Sequence, residues 1–324
     1  MEWWQAAILG LVEGITEYLP ISSTGHLVIA SSLMGLDEDP AQKAAVDAFN
    51  IVIQGGAILA VLGLYWPRVL RMLKGLLGKD AGGRRLLVNI VIAFLPAAIL
   101  GPLLDNWIES RLMSVGPVVG ALVVGGVAMI VLDRLHRRPQ VSVTGDDAGT
   151  GDNPRETDSV GSVDKPKRKT ESEPASDPRP DGLDIDALTW RHALFIGLLQ
   201  CVAMWPGTSR SMMTIVGGVL VGLKPKQAAE FSFLLGLPTL GGACVFKLAK
   251  NLWQARQPEH QSIFEMLGVA PILIGLAVAT VSAALAVRWL VAFLGRHGLE
   301  PFGWYRIGLG IVLGVLVAIG LVSI

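Results

Sequence analysis

The chain reads as an all-α polytopic membrane protein, an inverted repeat with six transmembrane helices and two re-entrant helical hairpins. Three observations predict this. Hydrophobic residues fill 52% of the 324 positions and charged residues 17%, far from the balance of a soluble globular chain. Six apolar runs, roughly 46–65, 87–104, 116–135, 228–247, 267–290 and 302–322, are near the length of about 20 residues that a bilayer requires. Two further apolar stretches, about 4–34 and 189–222, are each interrupted midway by proline and small polar residues. Their halves are too short to span, and irregular backbone at membrane depth is tolerated only where it lines a cavity.

The first interrupted stretch carries the chemistry. Glu13-Gly-Ile-Thr-Glu17-Tyr-Leu-Pro20-Ile-Ser22-Ser23-Thr24-Gly25-His26 packs two carboxylates, several hydroxyls and an imidazole into an apolar setting. Helical spacing places Glu13 and Glu17 on one face, a turn apart. Pro20 breaks that helix, and Ser22, Ser23 and Thr24 suit the N-cap of a second one. Capping alone accounts for the hydroxyls. It does not account for two glutamates at membrane depth, where ionisable groups mark function. The free N–H groups of a helix start attract an anion, and paired carboxylates attract a cation. A metal-assisted site for a phosphate ester is the first expectation.

Loop charges set the expected orientation. Arg68, Arg71, Lys74, Lys79, Arg84 and Arg85 crowd the loop between the first two spans, which places that loop in the cytoplasm. Counting from it, Arg134, Arg137, Arg138, Arg288 and Arg296 also lie inside, and both termini outside. The terminal Met-Glu-Trp-Trp lacks the basic region of a cleaved signal peptide. Positions 139–186 differ in kind: they hold 6 Lys/Arg against 12 Asp/Glu and no aromatic residue. They are expected to form a disordered cytoplasmic linker between repeats at 1–138 and 187–324.

The second interrupted stretch echoes the first. Leu9-Gly10-Leu11-Val12-Glu13 matches Ile196-Gly197-Leu198-Leu199-Gln200, and Tyr18 matches Trp205. After one gap, Pro20-Ile21-Ser22-Ser23 matches Pro206-Gly207-Thr208-Ser209. Each half thus has one hairpin and three spans, so the copies must be inverted, as in secondary transporters. The second turn adds Arg210, whose guanidinium suits phosphate oxygens or an internal salt bridge to Glu13 or Glu17. Cys201 and Cys244 lie in apolar segments as expected buried free thiols, with no Cys/His metal spacing. Basic residues scatter through short loops without interleaved surface aromatics, which argues against nucleic acid.

Glu13-x-x-x-Glu17, Pro20-x-Ser-Ser-Thr-Gly-His26 and Pro206-Gly-x-Ser-Arg-Ser211, in that order, resemble the motifs of the undecaprenyl-diphosphate phosphatase family. The resemblance covers about 1–135 and 189–324, with Phe49-x-x-x-Ile-Gln54 and Glu230-Phe-Ser-Phe-Leu-Leu included. It implies a multi-pass bacterial plasma-membrane enzyme that recycles the lipid carrier of peptidoglycan synthesis and confers bacitracin resistance. It further implies that Glu13 and Glu17 hold a divalent cation, Mg²⁺ or Ca²⁺. Ser23, His26 and Arg210 would form the catalytic centre, with Ser22, Thr24, Thr208, Ser209, Ser211, Thr214 and Gln54 around the diphosphate. The expected partners are a polyprenyl diphosphate lipid and the bilayer, and association into a homodimer is left open. Two departures stand out, the long linker and Met212 where a glycine commonly follows Ser-Arg-Ser.

Two rival readings bear on the same residues. An acid-phosphatase-like lipid phosphatase needs a histidine several residues after its Ser-Arg, and the next histidine after Arg210 is His260, so that reading fails. A transporter or flippase for a polyprenyl phosphate lipid explains the repeat but not the converging reactive groups. For the reaction, Ser23 is the favoured nucleophile, with His26 as its base and Arg210 stabilising the transferred phosphoryl group. Attack by His26 or by water stays open. The site is expected to open to the extracytoplasmic face.

Overall fold

A computed structural model of the chain describes residues 1–37, 39–112, 114–136, 182–254 and 267–322. Among these residues there is no β-strand, only a single bridge between Leu183 and Leu223. The elements are α1 (Trp3–Thr16), α2 (Ser23–Leu33), α3 (Pro40–Leu64), α4 (Trp66–Leu76), α5 (Ala81–Leu112) and α6 (Val115–His136), followed by α7 (Trp190–Val202), α8 (Arg210–Leu220), α9 (Pro225–Gln254), α10 (Val269–His297) and α11 (Glu300–Ala318).

Six of these helices, α3, α5, α6, α9, α10 and α11, are long and apolar enough to cross a membrane, and they coincide with the six runs expected from the sequence. Their outward faces are apolar as well: Leu103 is 73% exposed, Val124 69% and Leu285 63%. A surface of that kind is matched to lipid rather than to water. At a rise of about 1.5 Å per residue, α1, α2, α7 and α8 fall well short of a hydrocarbon core of about 30 Å.

The short pairs pack crosswise. The α1 helix lies against α10 of the second half, and α7 lies against α5 of the first. Both contacts are close because glycine removes a side chain from the seam. A Cβ on Gly10 would fall 2.5 Å from the Gly275 carbonyl oxygen, and one on Gly197 would fall 2.4 Å from that of Ala93. A third seam joins α6 to α11, where a Cβ on Gly126 would fall 2.6 Å from the Gly303 carbonyl oxygen. Small residues at helix crossings let dispersion and backbone contacts hold the bundle where lipid supplies no hydrophobic drive.

Where a loop is expected between the first two spans, the chain forms α4, an amphipathic helix over Trp66–Leu76. Its Arg68 donates to Glu230 of α9 at 2.7 Å and also bonds Asp186. The expected linker falls mostly outside the described residues, at 139–181. Its last residues are packed: Leu183 exchanges backbone bonds with Gly222 and Lys224, and Ile185 is buried with Leu188. The expected linker end at 186 therefore falls inside a folded segment, because Leu183 pairs its backbone with Gly222 and Lys224 and Ile185 is buried in the core. Cys201 and Cys244 are thiols rather than a disulfide, and each is only half-buried.

Candidate active site

Each short helix pair turns on a strained serine. Ser22 has φ 74° and Ser209 φ 72°, the only non-glycine residues with positive φ among those described. Each sits at an N-cap, where the Ser22 hydroxyl accepts the Gly25 amide at 3.4 Å and the Ser209 hydroxyl accepts that of Met212 at 3.3 Å. A non-glycine residue held in this region costs about 1–3 kcal/mol and points to function. The caps also correct the alignment read from the sequence. Ser22 corresponds to Ser209 in the same register that pairs Leu9 with Ile196, so no gap is needed and Ser23 corresponds to Arg210.

The two turns meet. The Ser211 hydroxyl donates to the Leu19 carbonyl at 2.9 Å, tying the start of α8 to the first turn. Ser209 then donates to Ser211 at 3.0 Å, since the hydrogen of Ser211 is already committed. Around this seam Tyr18, Leu19, Ile21, Met212, Phe231 and Phe233 share one apolar core. Met212 is 3% exposed, and its amide is the one that the Ser209 hydroxyl caps.

Glu17 is the hub. Its Oε2 accepts from the Ser23 hydroxyl at 2.7 Å, and its Oε1 lies 3.4 Å from Arg210 Nη2. One carboxylate thus joins the first residues of α2 and α8. Arg210 also donates to the Ser232 carbonyl at 3.0 Å and lies over the Tyr18 ring at 5.5 Å, a cation–π contact. Gly236 makes room for it, since a Cβ there would fall 2.9 Å from Nη1. The salt bridge expected as an alternative for Arg210 is therefore present, made to Glu17.

Glu13 sits a turn below Glu17, 1% exposed, and its Oε2 has no hydrogen-bond partner. A buried carboxylate oxygen left bare is costly unless a cation or proton satisfies it. No cluster of three or more His, Cys, Asp or Glu side chains occurs among the described residues. A cation here would take two carboxylates and draw its remaining ligands from hydroxyls, water or substrate oxygens, as hard divalent ions do. The donor set fits.

The structure does not join His26 to Ser23 as expected. His26 Nδ1 lies 2.7 Å from the Ser22 carbonyl oxygen, and Nε2 lies 2.7 Å from the hydroxyl of Tyr305 on α11. The Ser23 proton points to Glu17 instead. Thr214 is also used otherwise: it is fully buried, bonded to the Arg210 carbonyl and paired with Ser232 of α9. Gln54 accepts from the Cys244 thiol at 3.5 Å, in the contact between α3 and α9, and no hydrogen bond joins it to the turns. Thr24 is half-buried at the start of α2, and Thr208 is buried in the second turn.

Two residues escaped the sequence reading, Tyr305 and Arg306. Arg306 is fully buried, and its Nη2 donates to the Ala121 carbonyl at 3.1 Å and the Gly207 carbonyl at 2.9 Å. The signal for it was present: an arginine inside the apolar run 302–322 is a functional candidate by the rule applied to Glu13.

Comparison with known proteins gives the family and relatives of this chain. The family described as bacitracin resistance protein BacA matches residues 6–312. Among curated relatives, an undecaprenyl-diphosphatase of Sorangium cellulosum is 38% identical, the match covering 96% of this chain and 85% of the relative. Proteins of the same description from Deinococcus deserti and Azotobacter vinelandii are 36% and 39% identical. Each of those matches covers all of this chain and 98% of the relative.

Proposed function

This chain belongs to the BacA family of bacitracin resistance proteins, and from that membership together with its site we propose that it is an undecaprenyl-diphosphatase. It hydrolyses undecaprenyl diphosphate to undecaprenyl phosphate and inorganic phosphate, which returns the carrier lipid to peptidoglycan synthesis. The observation that carries this reading is the meeting of Ser23, Glu17 and Arg210 where two broken helix pairs touch. A transporter needs the broken helices but not a serine hydroxyl aimed at a carboxylate beside a guanidinium.

In the reading we favour, Ser23 attacks the terminal phosphorus and Glu17, already bonded to that hydroxyl, takes its proton as the P–O bond to undecaprenyl phosphate breaks; water then hydrolyses the phosphoserine and releases inorganic phosphate. Arg210 then pairs with the phosphoryl oxygens as charge shifts to them. Glu13 and Glu17 would hold Mg²⁺ or Ca²⁺, which would offset the charge of the diphosphate. The protein is read as a multi-pass protein of the bacterial cell membrane.

The architecture is read as an inverted repeat with two re-entrant hairpins. Matching serine caps, matching glycine seams and the crosswise packing of α1 on α10 and α7 on α5 support it. The repeats have diverged: Gln200 and Met204 stand where the first copy has Glu13 and Glu17. One copy supplies the carboxylates and the other the arginine. The deciding experiment is phosphate release from a polyprenyl diphosphate by the purified protein. Release with Mg²⁺ or Ca²⁺ that stops with chelator is expected, and no release under any metal condition would overturn the enzyme reading.

A further inference from the structure

The α11 helix reaches both turns through adjacent side chains, and neither has a place in the chemistry proposed above. Tyr305 meets the first turn: its hydroxyl is 2.7 Å from His26 Nε2, and the two rings stack 5° from parallel with centroids 5.6 Å apart. Arg306 meets the second turn through the Gly207 carbonyl.

The hydrogen bonds assign the tautomer. The Ser22 carbonyl only accepts, so His26 Nδ1 carries the proton at that contact. In the neutral ring Nε2 is then the acceptor and Tyr305 the donor. Both nitrogens are engaged, and the ring bonds the carbonyl of the residue whose φ is 74°. The next residue is Ser23, whose hydroxyl direction follows from that strained peptide. The aim of Tyr305 is fixed in turn, because Arg306 beside it is buried and bonded to carbonyls of α6 and the second turn. Arg306 therefore sets the rotation of α11 at this level.

We propose that Tyr305 is a positioning residue: it holds His26 as the Nδ1-protonated tautomer, and His26 so held braces the Ser22 peptide that aims Ser23 at Glu17. The proposal rests on the reading of Ser23 and Glu17 as the reacting pair. It gives His26 a bracing role in place of direct proton transfer from Ser23, and it makes Tyr305 act through His26 without touching the substrate.

Tyr305→Phe removes only the hydroxyl from a half-exposed ring and keeps the stacking. Turnover should fall about tenfold, the scale of one hydrogen bond, with KM within about twofold of the parent by the same scale. The ¹⁵N signals of His26, identified by their loss in His26→Gln, should show one protonated and one bare nitrogen in the parent. In Tyr305→Phe they should move towards a mixture of tautomers. Unchanged nitrogen signals in Tyr305→Phe overturn the proposal whatever the turnover, and altered signals with full kcat overturn it too. Full turnover by Ser23→Ala would instead overturn the reading of the reacting pair, while the nitrogen signals still decide the Tyr305–His26 contact.

Discussion

Glu17 is asked to do the most at the scale of single residues, and its contacts make the first prediction. It accepts the Ser23 hydroxyl and faces Arg210, so Glu17→Gln removes the proton acceptor and the counter-charge while keeping the shape. Phosphate release should drop by about 10²–10⁴-fold, and added Mg²⁺ should not restore it. Retention of more than a tenth of wild-type turnover would move the essential carboxylate to Glu13. A second residue-scale prediction lies outside the membrane, where α4 meets α5. Asp80 accepts the Gly83 amide at 2.7 Å and Arg71 Nε at 3.2 Å, and these bonds, the backbone one foremost, hold its carboxyl below the usual value. A carboxyl depressed in the folded state stabilises above its unfolded pKa of about 4 and loses that contribution as pH falls through the lower folded value. Asp80→Ala should lower Tm at pH 7. The difference from the parent should begin to close near pH 4 and vanish below the folded pKa. A gap that persists through that window would deny the carboxylate its role.

Among elements, the helix seams are the most exacting feature. The α1–α10 and α7–α5 contacts both place a glycine against backbone at distances no Cβ occupies. Gly10→Ala and Gly197→Ala should each cost roughly 1–3 kcal/mol, the usual range for overpacking a well-fitted contact, read as lower Tm in detergent. Gly63→Ala should be neutral or better, since nothing lies within 4 Å of the added carbon and alanine is the stronger helix former. If all three behave alike, the seams are looser than described. The Gly10 change should also depress activity more than Gly197→Ala, because α1 carries both carboxylates and α7 carries none.

For the molecule as a whole, the described residues close into one bundle, and 137–181 lie outside the described residues. That stretch lacks aromatic residues and is acidic overall, so it has little to bury. Deleting about 143–180 should leave turnover within a few-fold. Extending the deletion through 188 should abolish folding, since Ile185 and Leu188 are buried in the core and Asp186 accepts from Arg68. Orientation is the other whole-molecule prediction. If the basic α4 end is cytoplasmic, the first turn opens outward. A cysteine at Thr24, in a variant with Cys201 and Cys244 changed to serine, should react with a membrane-impermeant thiol reagent in intact spheroplasts. Labelling confined to inverted vesicles would reverse the orientation.

The sequence by itself determined the class, the six spans and both broken pairs, because each rests on local physics. A bilayer imposes length and apolarity on every crossing segment, and a charge inside such a segment has few reasons to exist other than function. Glu13, Glu17, Ser23 and Arg210 are therefore legible in the sequence as a candidate site, and their order carries the family resemblance. Tertiary structure alone decided who touches whom. Ser23 and His26 are neighbours in the chain and look like a nucleophile and its base, but a positive φ at Ser22 turns the hydroxyl to Glu17 and the imidazole to Tyr305. That outcome depends on α11, 279 positions along the chain from His26, and on two buried hydrogen bonds of Arg306 that no local pattern encodes. The matched caps at Ser22 and Ser209 emerge the same way, since a turn's backbone angles, not its residue names, identify the cap that closes it.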